Sequence, residues 1–269
     1  MKIRLLGSAA AEGIPAIFCR CELCQKAKEL GGKDIRTRTS ALVDDNLKID
    51  FPPDTFMHVL RDGDMISDFE HLIITHTHHD HFYPEDIRMR TPDFAKDFGD
   101  VLNIYGNENV VQRCHETLEN EKEYFNIAPV QAFTTNEIGG KLITPLPADH
   151  KPDENSFIYF IEKEGKTCLY GHDTGVFPEE TFNWLAQRVI DIAILDCTNG
   201  LIDRKTIHMN IEAVKDTKAK FAELGVLHEK SRVVATHFSH NCGLLHDDLE
   251  KLLVPFGIDV AYDGMEFQV

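Results

Sequence analysis

Seven consecutive residues, Thr75-His76-Thr77-His78-His79-Asp80-His81, hold four histidines and one carboxylate. They follow the apolar stretch His71-Leu72-Ile73-Ile74, which places them on a loop at the end of a strand. Imidazole and carboxylate together suit zinc, manganese or iron. In an extended chain the alternate positions His76 and His78 point one way, while the adjacent Asp80 and His81 must turn elsewhere, so a single motif can serve two ions. His79 stands outside this alternation and reads as a bystander.

A site for two ions needs further ligands from other strand ends. His150, Asp173 and His237 each stand just past an apolar run, the position from which residues distant in sequence converge. Alone, a His or Asp there is more often a turn or capping residue. A second cluster lies near the amino terminus, where Cys19, Cys21 and Cys24 offer three thiolates in the spacing Cys-x-Cys-x-x-Cys. A structural zinc wants a fourth ligand to close its tetrahedron, and His240, three residues beyond His237, is the best candidate. Reduced thiols without an ion are the alternative. Cys114, Cys168, Cys197 and Cys242 read as ordinary thiols. Arg88 and Arg90, shortly after the histidine run, are candidate cations for an anionic substrate, with surface ion pairing as the alternative for each.

The elements that must position these residues read as mixed α and β. Strands are predicted over Lys2 to Leu6, Ser40 to Val43, Leu47 to Phe51, Leu102 to Tyr105, Gly140 to Pro145, Phe157 to Glu162, Thr167 to Tyr170, Ile190 to Leu195, Arg232 to Ala235 and Ile258 to Ala261. Helices are predicted over Glu22 to Leu30, Asp54 to Arg61, Asn109 to Leu118, Glu179 to Arg188, Ile211 to Leu224 and Leu245 to Leu253. With 42% hydrophobic residues the chain can bury a large core. Its net charge of −17 and pI near 5.2 work against long nucleic acid as a partner, yet leave room for a small anionic substrate if cations gather locally. The odd count of seven cysteines, the short apolar amino terminus and the lack of any run approaching a membrane span lead to an expected cytoplasmic location, with no membrane partner.

The His-x-His-x-Asp-His run resembles the signature of the metallo-β-lactamase superfamily, and His150, Asp173 and His237 follow it in the order which that superfamily uses. The resemblance implies an α/β, four-layer αββα sandwich, here as one domain over residues 1–269, and a dinuclear hydrolytic site. In that scheme His76, His78 and His150 hold one ion, Asp80, His81 and His237 the other, and Asp173 bridges them. The opening Leu6-Gly7-Ser8-Ala9-Ala10-Ala11-Glu12-Gly13-Ile14-Pro15, the cysteine cluster, Leu146-Pro147-Ala148-Asp149-His150, Asp173-Thr174, Leu195-Asp196-Cys197, Thr236-His237-Phe238-Ser239-His240 and Asp263-Gly264-Met265-Glu266 are similar to the phosphoribosyl cyclic phosphodiesterase family of the carbon–phosphorus lyase pathway.

That closer likeness implies hydrolysis of a phosphoribosyl 1,2-cyclic phosphate to ribose 1,5-bisphosphate. It also implies a dinuclear active site, whose donors suit manganese or zinc, one structural zinc and a small phosphorylated substrate; a homodimer is an option apart from the likeness. Asp80 and His208 would be catalytic, His208 as proton donor to the leaving oxygen; Arg88, from its place close after the histidine run and not from the likeness, is the candidate to bind substrate. The chain departs from the family at Ile49-Asp50-Phe51-Pro52-Pro53-Asp54, which looks more like a related protein of pyrroloquinoline quinone biosynthesis. A non-hydrolytic carrier is therefore one rival, and a hydrolase of thioesters, lactones or RNA ends another. The stretch 119–129 has no match in the family and reads as a lid, an oligomer contact or a solvated loop.

Overall fold

Two seven-stranded sheets face each other in a computed structural model that describes residues 1–63 and 68–269. The first sheet contains β1 (Lys2–Gly7), β2 (Ser40–Val43), β3 (Leu47–Ile49), β4 (His71–Ile73), β5 (Leu102–Gly106) and β6 (Phe125–Pro129), with β14 (Glu266–Gln268) beside β1. Period-two alternation gives it two apolar faces: Ile3, Leu5, Ala41, Val43, Leu47, Ile49 and Ile73 point to the second sheet, while Leu6, Leu42, Leu72, Leu102 and Ile104 point outward. The second sheet is β7 (Asn136–Ile138), β8 (Lys141–Pro147), β9 (Phe157–Lys163), β10 (Lys166–Gly171), β11 (Ile190–Asp196), β12 (Leu227–Thr236) and β13 (Ile258–Val260) in the order β13-β12-β11-β10-β9-β8-β7. Its central strands are continuous apolar runs because both faces are covered.

Each sheet is half antiparallel and half parallel. Pairing is antiparallel from β14 to β3 and parallel from β3 to β6; it is antiparallel from β7 to β10 and parallel from β10 to β13. Helices cover both outer faces and complete the four layers of the expected sandwich. Against the first sheet, α4 (Glu108–Leu118) buries Val110, Cys114 and Leu118, one stripe at i, i+4 and i+8. Against the second, α5 (Glu179–Leu185), α6 (Ile211–Glu223) and α7 (His246–Leu253) bury Leu185, Phe221, Leu249 and Leu253. The shorter α1 (Glu22–Leu30), α2 (Thr55–Asp62) and α3 (Pro84–Ile87) lie in the connections. Side chains of Asn107 and Asn210 cap α4 and α6 by accepting from Val110 and Ala213 N–H, which fixes where each helix begins.

Three expectations change. The strand predicted to reach Phe51 ends at Ile49, because Asp50 adopts a φ of 60° and leaves the ladder. The 119–129 stretch is not one loop: residues 119–124 form a short 3₁₀ turn with no buried residue, and 125–129 form the edge strand β6, parallel to β5. The acidic turn before it hid a strand in which Phe125 alone is buried. The short strands β7 and β14 also escaped, since three residues carry too little periodicity.

Ile73 is fully buried on the inner face of β4, two residues before the histidine run begins. Ile73→Ala should lower stability by about 2–5 kcal/mol, measured as a shift in the urea midpoint at constant m. A loss under about 0.5 kcal/mol would contradict this packing.

Candidate metal centre

Strands of both sheets, β4 in the first and β8, β10, β11 and β12 in the second, aim their carboxyl ends at one place. Beyond β4 comes the histidine run, beyond β8 His150, beyond β10 Asp173, beyond β11 Thr198, and beyond β12 His237. Asp50, Asp173 and His237 have φ of 60°, 55° and 61°, which turn each side chain sharply off its strand. Such backbone costs on the order of 1–3 kcal/mol per residue and persists only when surroundings hold it.

Six ligand candidates converge on the seventh, Asp173, which is 3% exposed. His78 Nδ1 lies 2.9 Å from both His76 Nε2 and His150 Nε2. Asp173 Oδ2 lies 3.1 Å from His76 Nε2, 3.2 Å from His150 Nε2 and 2.9 Å from His81 Nε2. His81 Nε2 is in turn 3.2 Å from Asp80 Oδ2 and 3.3 Å from His237 Nε2. Two ligand sets result, His76/His78/His150/Asp173 and Asp80/His81/Asp173/His237, each with its ligand atoms within 4.8 Å of one another, and Asp173 belongs to both. His79 is exposed and outside them.

The outward hydrogen bonds decide what these atoms offer inward. His150 Nδ1 donates to the Ile207 carbonyl at 3.1 Å, so its Nε2 carries a bare lone pair. His81 Nδ1 donates to Asp50 Oδ2 at 2.8 Å, leaving Nε2 bare toward two carboxylates. The Thr198 hydroxyl donates to Asp196 at 3.0 Å and accepts from His237 Nδ1 at 2.7 Å, so His237 Nε2 is bare as well. Asp173 Oδ1 is buried without an aligned hydrogen-bond donor. Lone pairs facing lone pairs repel; a divalent cation between them turns the repulsion into coordination, so this donor set fits divalent metal. In its absence protons must substitute. Burial disfavours a charged His81, but Asp80, Asp50 and Asp173 override it and hold the ring well above the usual histidine range. Burial likewise works against an ionised Asp173, yet His237, His81 and His150 keep its carboxyl well below the usual range. Burial pushes His150 down to about 4.

Outer supports complete the site, and sequence reasoning had not assigned them to it. Asp50 accepts from Thr75 N–H at 2.8 Å as well as from His81, tying the start of the histidine run to the end of β3. Glu154 accepts from Thr77 N–H at 2.9 Å, Asn107 Nδ2 at 2.7 Å and Lys151 Nζ at 2.8 Å, which clamps the middle of the run. Asp196 accepts from Thr198 N–H and Met209 N–H, both at 2.9 Å. Asp50 and Asp196 were legible in principle, since each is an acid at the carboxyl end of an apolar strand, as Asp173 is.

His208 joins the cluster from the segment before α6. Its Nδ1 lies 3.1 Å from both Asp173 Oδ1 and Asp196 Oδ2. Burial opposes its charge, but these two carboxylates lift it to about 10. The centre opens into a cavity of about 450 Å³ bordered by His78, Asp80, His150, Asp173, His208 and His237. Arg88 is not brought here: its guanidinium pairs with Glu121 at 2.7 Å on the turn before β6, and it borders no part of this cavity. Arg90 points away too, donating to the Asp100 carbonyl at 2.9 Å.

The thiols form a separate cluster. Cys19, Cys21 and Cys24 Sγ and His240 Nδ1 lie within 4.8 Å of one another. His240 Nδ1 is 3.6 Å from Cys19 and 3.5 Å from Cys21, while Ala16 N–H donates to Cys24 Sγ at 3.3 Å. The Cys24 N–H and then His240 draw the Cys21 thiol down to about 6, whereas burial pushes Cys24 up to about 11. Three sulfurs and one imidazole fit a closed zinc site. The other four cysteines are buried and unpaired.

Residues 49–238 match the beta-lactamase superfamily domain, well over half of the chain. An octanoyltransferase of Porphyromonas gingivalis is 27% identical over 282 residues, covering 99% of this chain and 51% of that protein, so the chain spans about half the length of this curated relative. The crystal structure of a diphosphatase of the PhnP family is similar at 24% identity with a TM-score of 0.78, over 100% of this chain and 97% of that one. Zinc-bound PqqB of Methylobacterium extorquens is similar at 18% identity, also with a TM-score of 0.78, over 100% of both chains. Among the described residues no helix is long and apolar enough to cross a membrane.

Two outcomes follow from this geometry. Asp50→Asn should weaken divalent metal binding by about 10–100-fold, because His81 loses the carboxylate that orients it; competition with a chromophoric chelator reads this, and unchanged affinity would contradict it. In metal-free protein at pH 7, iodoacetamide should modify Cys21 well before Cys24, and zinc should protect both; equal rates by mass spectrometry would overturn the assignment of their environments.

Proposed function

Because the chain belongs to the beta-lactamase superfamily, we propose that it is a metal-dependent hydrolase of phosphate diesters, acting on phosphoribosyl 1,2-cyclic phosphate to give ribose 1,5-bisphosphate. The observation that carries this reading is the convergence of bare, buried lone pairs on Asp173 beside an open cavity. His76, His78 and His150 would hold one manganese or zinc ion, and Asp80, His81 and His237 a second, with Asp173 reaching both; Cys19, Cys21, Cys24 and His240 would hold a structural zinc. When bound, such a pair supplies Lewis acidity and lowers the pKa of water.

The chain's own residues do the rest. Asp80 borders the cavity, and although burial opposes its charge, His81 keeps it ionised, so it can accept a hydrogen bond from the attacking water. His208 is fixed through Nδ1 by its hydrogen bond to Asp196, with the Asp173 carboxylate beside it, and its Nε2 makes no hydrogen bond among the described residues. As water adds to phosphorus and the bond from phosphorus to O2 of the ribose breaks, His208 gives its proton to that oxygen. The phosphate stays on O1. A carrier role keeps some support from the equal structural likeness to PqqB and from the turn at Asp50.

Protein chelated and reloaded with manganese or zinc should be assayed on bis(p-nitrophenyl) phosphate, phosphoribosyl 1,2-cyclic phosphate, an acyl thioester and a lactone. Cleavage of thioester or lactone without diester cleavage would remove the proposal, as would inactivity with metal at the cysteine site alone. His208→Ala should keep its metals and slow the ribosyl substrate by about 10²–10⁴-fold, with a smaller effect on p-nitrophenolate, which leaves without a proton. His208 can donate only in its acid form, so wild-type turnover by the metal-loaded protein should fall on the alkaline side as His208 loses its proton, and the variant should lack this limb. Unchanged ribosyl turnover in the variant would eliminate the acid role.

A further inference from the structure

Arg204 borders the same cavity as Asp80, Asp173 and His208. Its side chain is exposed, and its guanidinium has neither ion pair nor hydrogen bond among the described residues. This distinguishes it, in a protein of net charge −17, from other cations near the centre in space or in sequence, which are engaged. Lys151 is held by Glu154 at 2.8 Å, Lys205 by Asp216 at 2.8 Å and Arg88 by Glu121 at 2.7 Å. The one carboxylate that shares the cavity wall outside the metal cluster, Glu12, is turned to the Ser239 hydroxyl and lies 3.8 Å from His240.

The backbone that presents Arg204 is fixed on every side. Its N–H donates to the Ile202 carbonyl at 2.8 Å, and its own carbonyl accepts from Asn199 Nδ2 at 3.2 Å. The Lys205 carbonyl accepts from Val176 N–H at 3.0 Å. Gly175 allows this approach: a Cβ there would sit 2.7 Å from Ile207 N and 2.8 Å from the Lys205 carbonyl oxygen. Ile207, a β-branched residue at a φ of 67°, closes the segment and offers its carbonyl to His150. One rigid segment thus orients a metal-ligand candidate and holds a free guanidinium beside it.

A planar guanidinium matches a phosphate monoester bidentately, better than an ammonium does. We propose that Arg204 is the specificity-determining residue of this site, binding a terminal phosphate monoester of the substrate apart from the diester that is cleaved. The preferred substrate class is then a cyclic phosphate diester that also carries a phosphomonoester. This rests on the hydrolytic function proposed above.

The test compares kcat/KM for ribosyl 1,2-cyclic phosphate with and without its 5-phosphate, in the wild type, Arg204→Gln and Arg204→Lys. Arg204→Gln should reduce the preference for the phosphorylated substrate by about 10–100-fold, mainly through KM, and Arg204→Lys should restore part of it. An unchanged preference in Arg204→Gln would overturn the assignment. If the wild type cleaves neither diester, the hydrolytic function fails separately. Calorimetric binding of ribose 5-phosphate to metal-loaded protein then reads Arg204 directly: affinity weakened in Arg204→Gln supports the contact, and equal affinity sinks it.

Discussion

Bare lone pairs cannot face one another in a buried pocket unless positive charge lies between them. That constraint organises the centre of this protein. His81, His150 and His237 each spend one ring nitrogen on an outward hydrogen bond and turn the other toward Asp173. A cation satisfies all of them together, and binding it must release the proton that His81 otherwise retains. The left-handed backbone at Asp50, Asp173 and His237 is tolerable for the same reason, since ligand geometry and ladder ends over-determine it.

The architecture delivers these residues without dedicating a domain to them. Parallel pairing in one half of each sheet brings several strand ends to a single rim, and the loops that follow carry the ligands. Neighbouring loops are then tied together. The loop after β12 carries His237 and, three residues on, His240 of the thiol cluster, and Phe238 N–H within it donates to the Ser8 carbonyl at 2.9 Å. Loss of the cysteine site would therefore loosen the backbone that aims His237.

Much of the site was legible because ligand chemistry is local: the histidine run announces itself, and a His or Asp just past an apolar strand is visible in one dimension. The longer strands and helices were legible from period 2 and period 3.6. What escaped depends on contacts distant in sequence. Nothing local marks Glu154 as the clamp on Thr77, since the two are 77 residues apart. Arg88 misled because nearness in sequence to the histidine run is not nearness in space: α3 carries it away toward Glu121. Arg204, in a polar stretch with no periodic signal, became visible only once its segment was seen docked against Gly175. The edge strand β6, only five residues long and ending in proline, was hidden behind the acidic turn that precedes it.

The central claim is that Asp173 is the shared ligand of two cation sites and that the thiol cluster is a third, independent one. Native mass spectrometry of chelated and reconstituted protein tests it most directly by counting the divalent ions bound per chain in the wild type and in Asp173→Ala. Three ions in the wild type, with only the cysteine-site ion surviving in the variant, is the result this account requires. A wild type that binds a single ion, or a variant that retains all three, would contradict it.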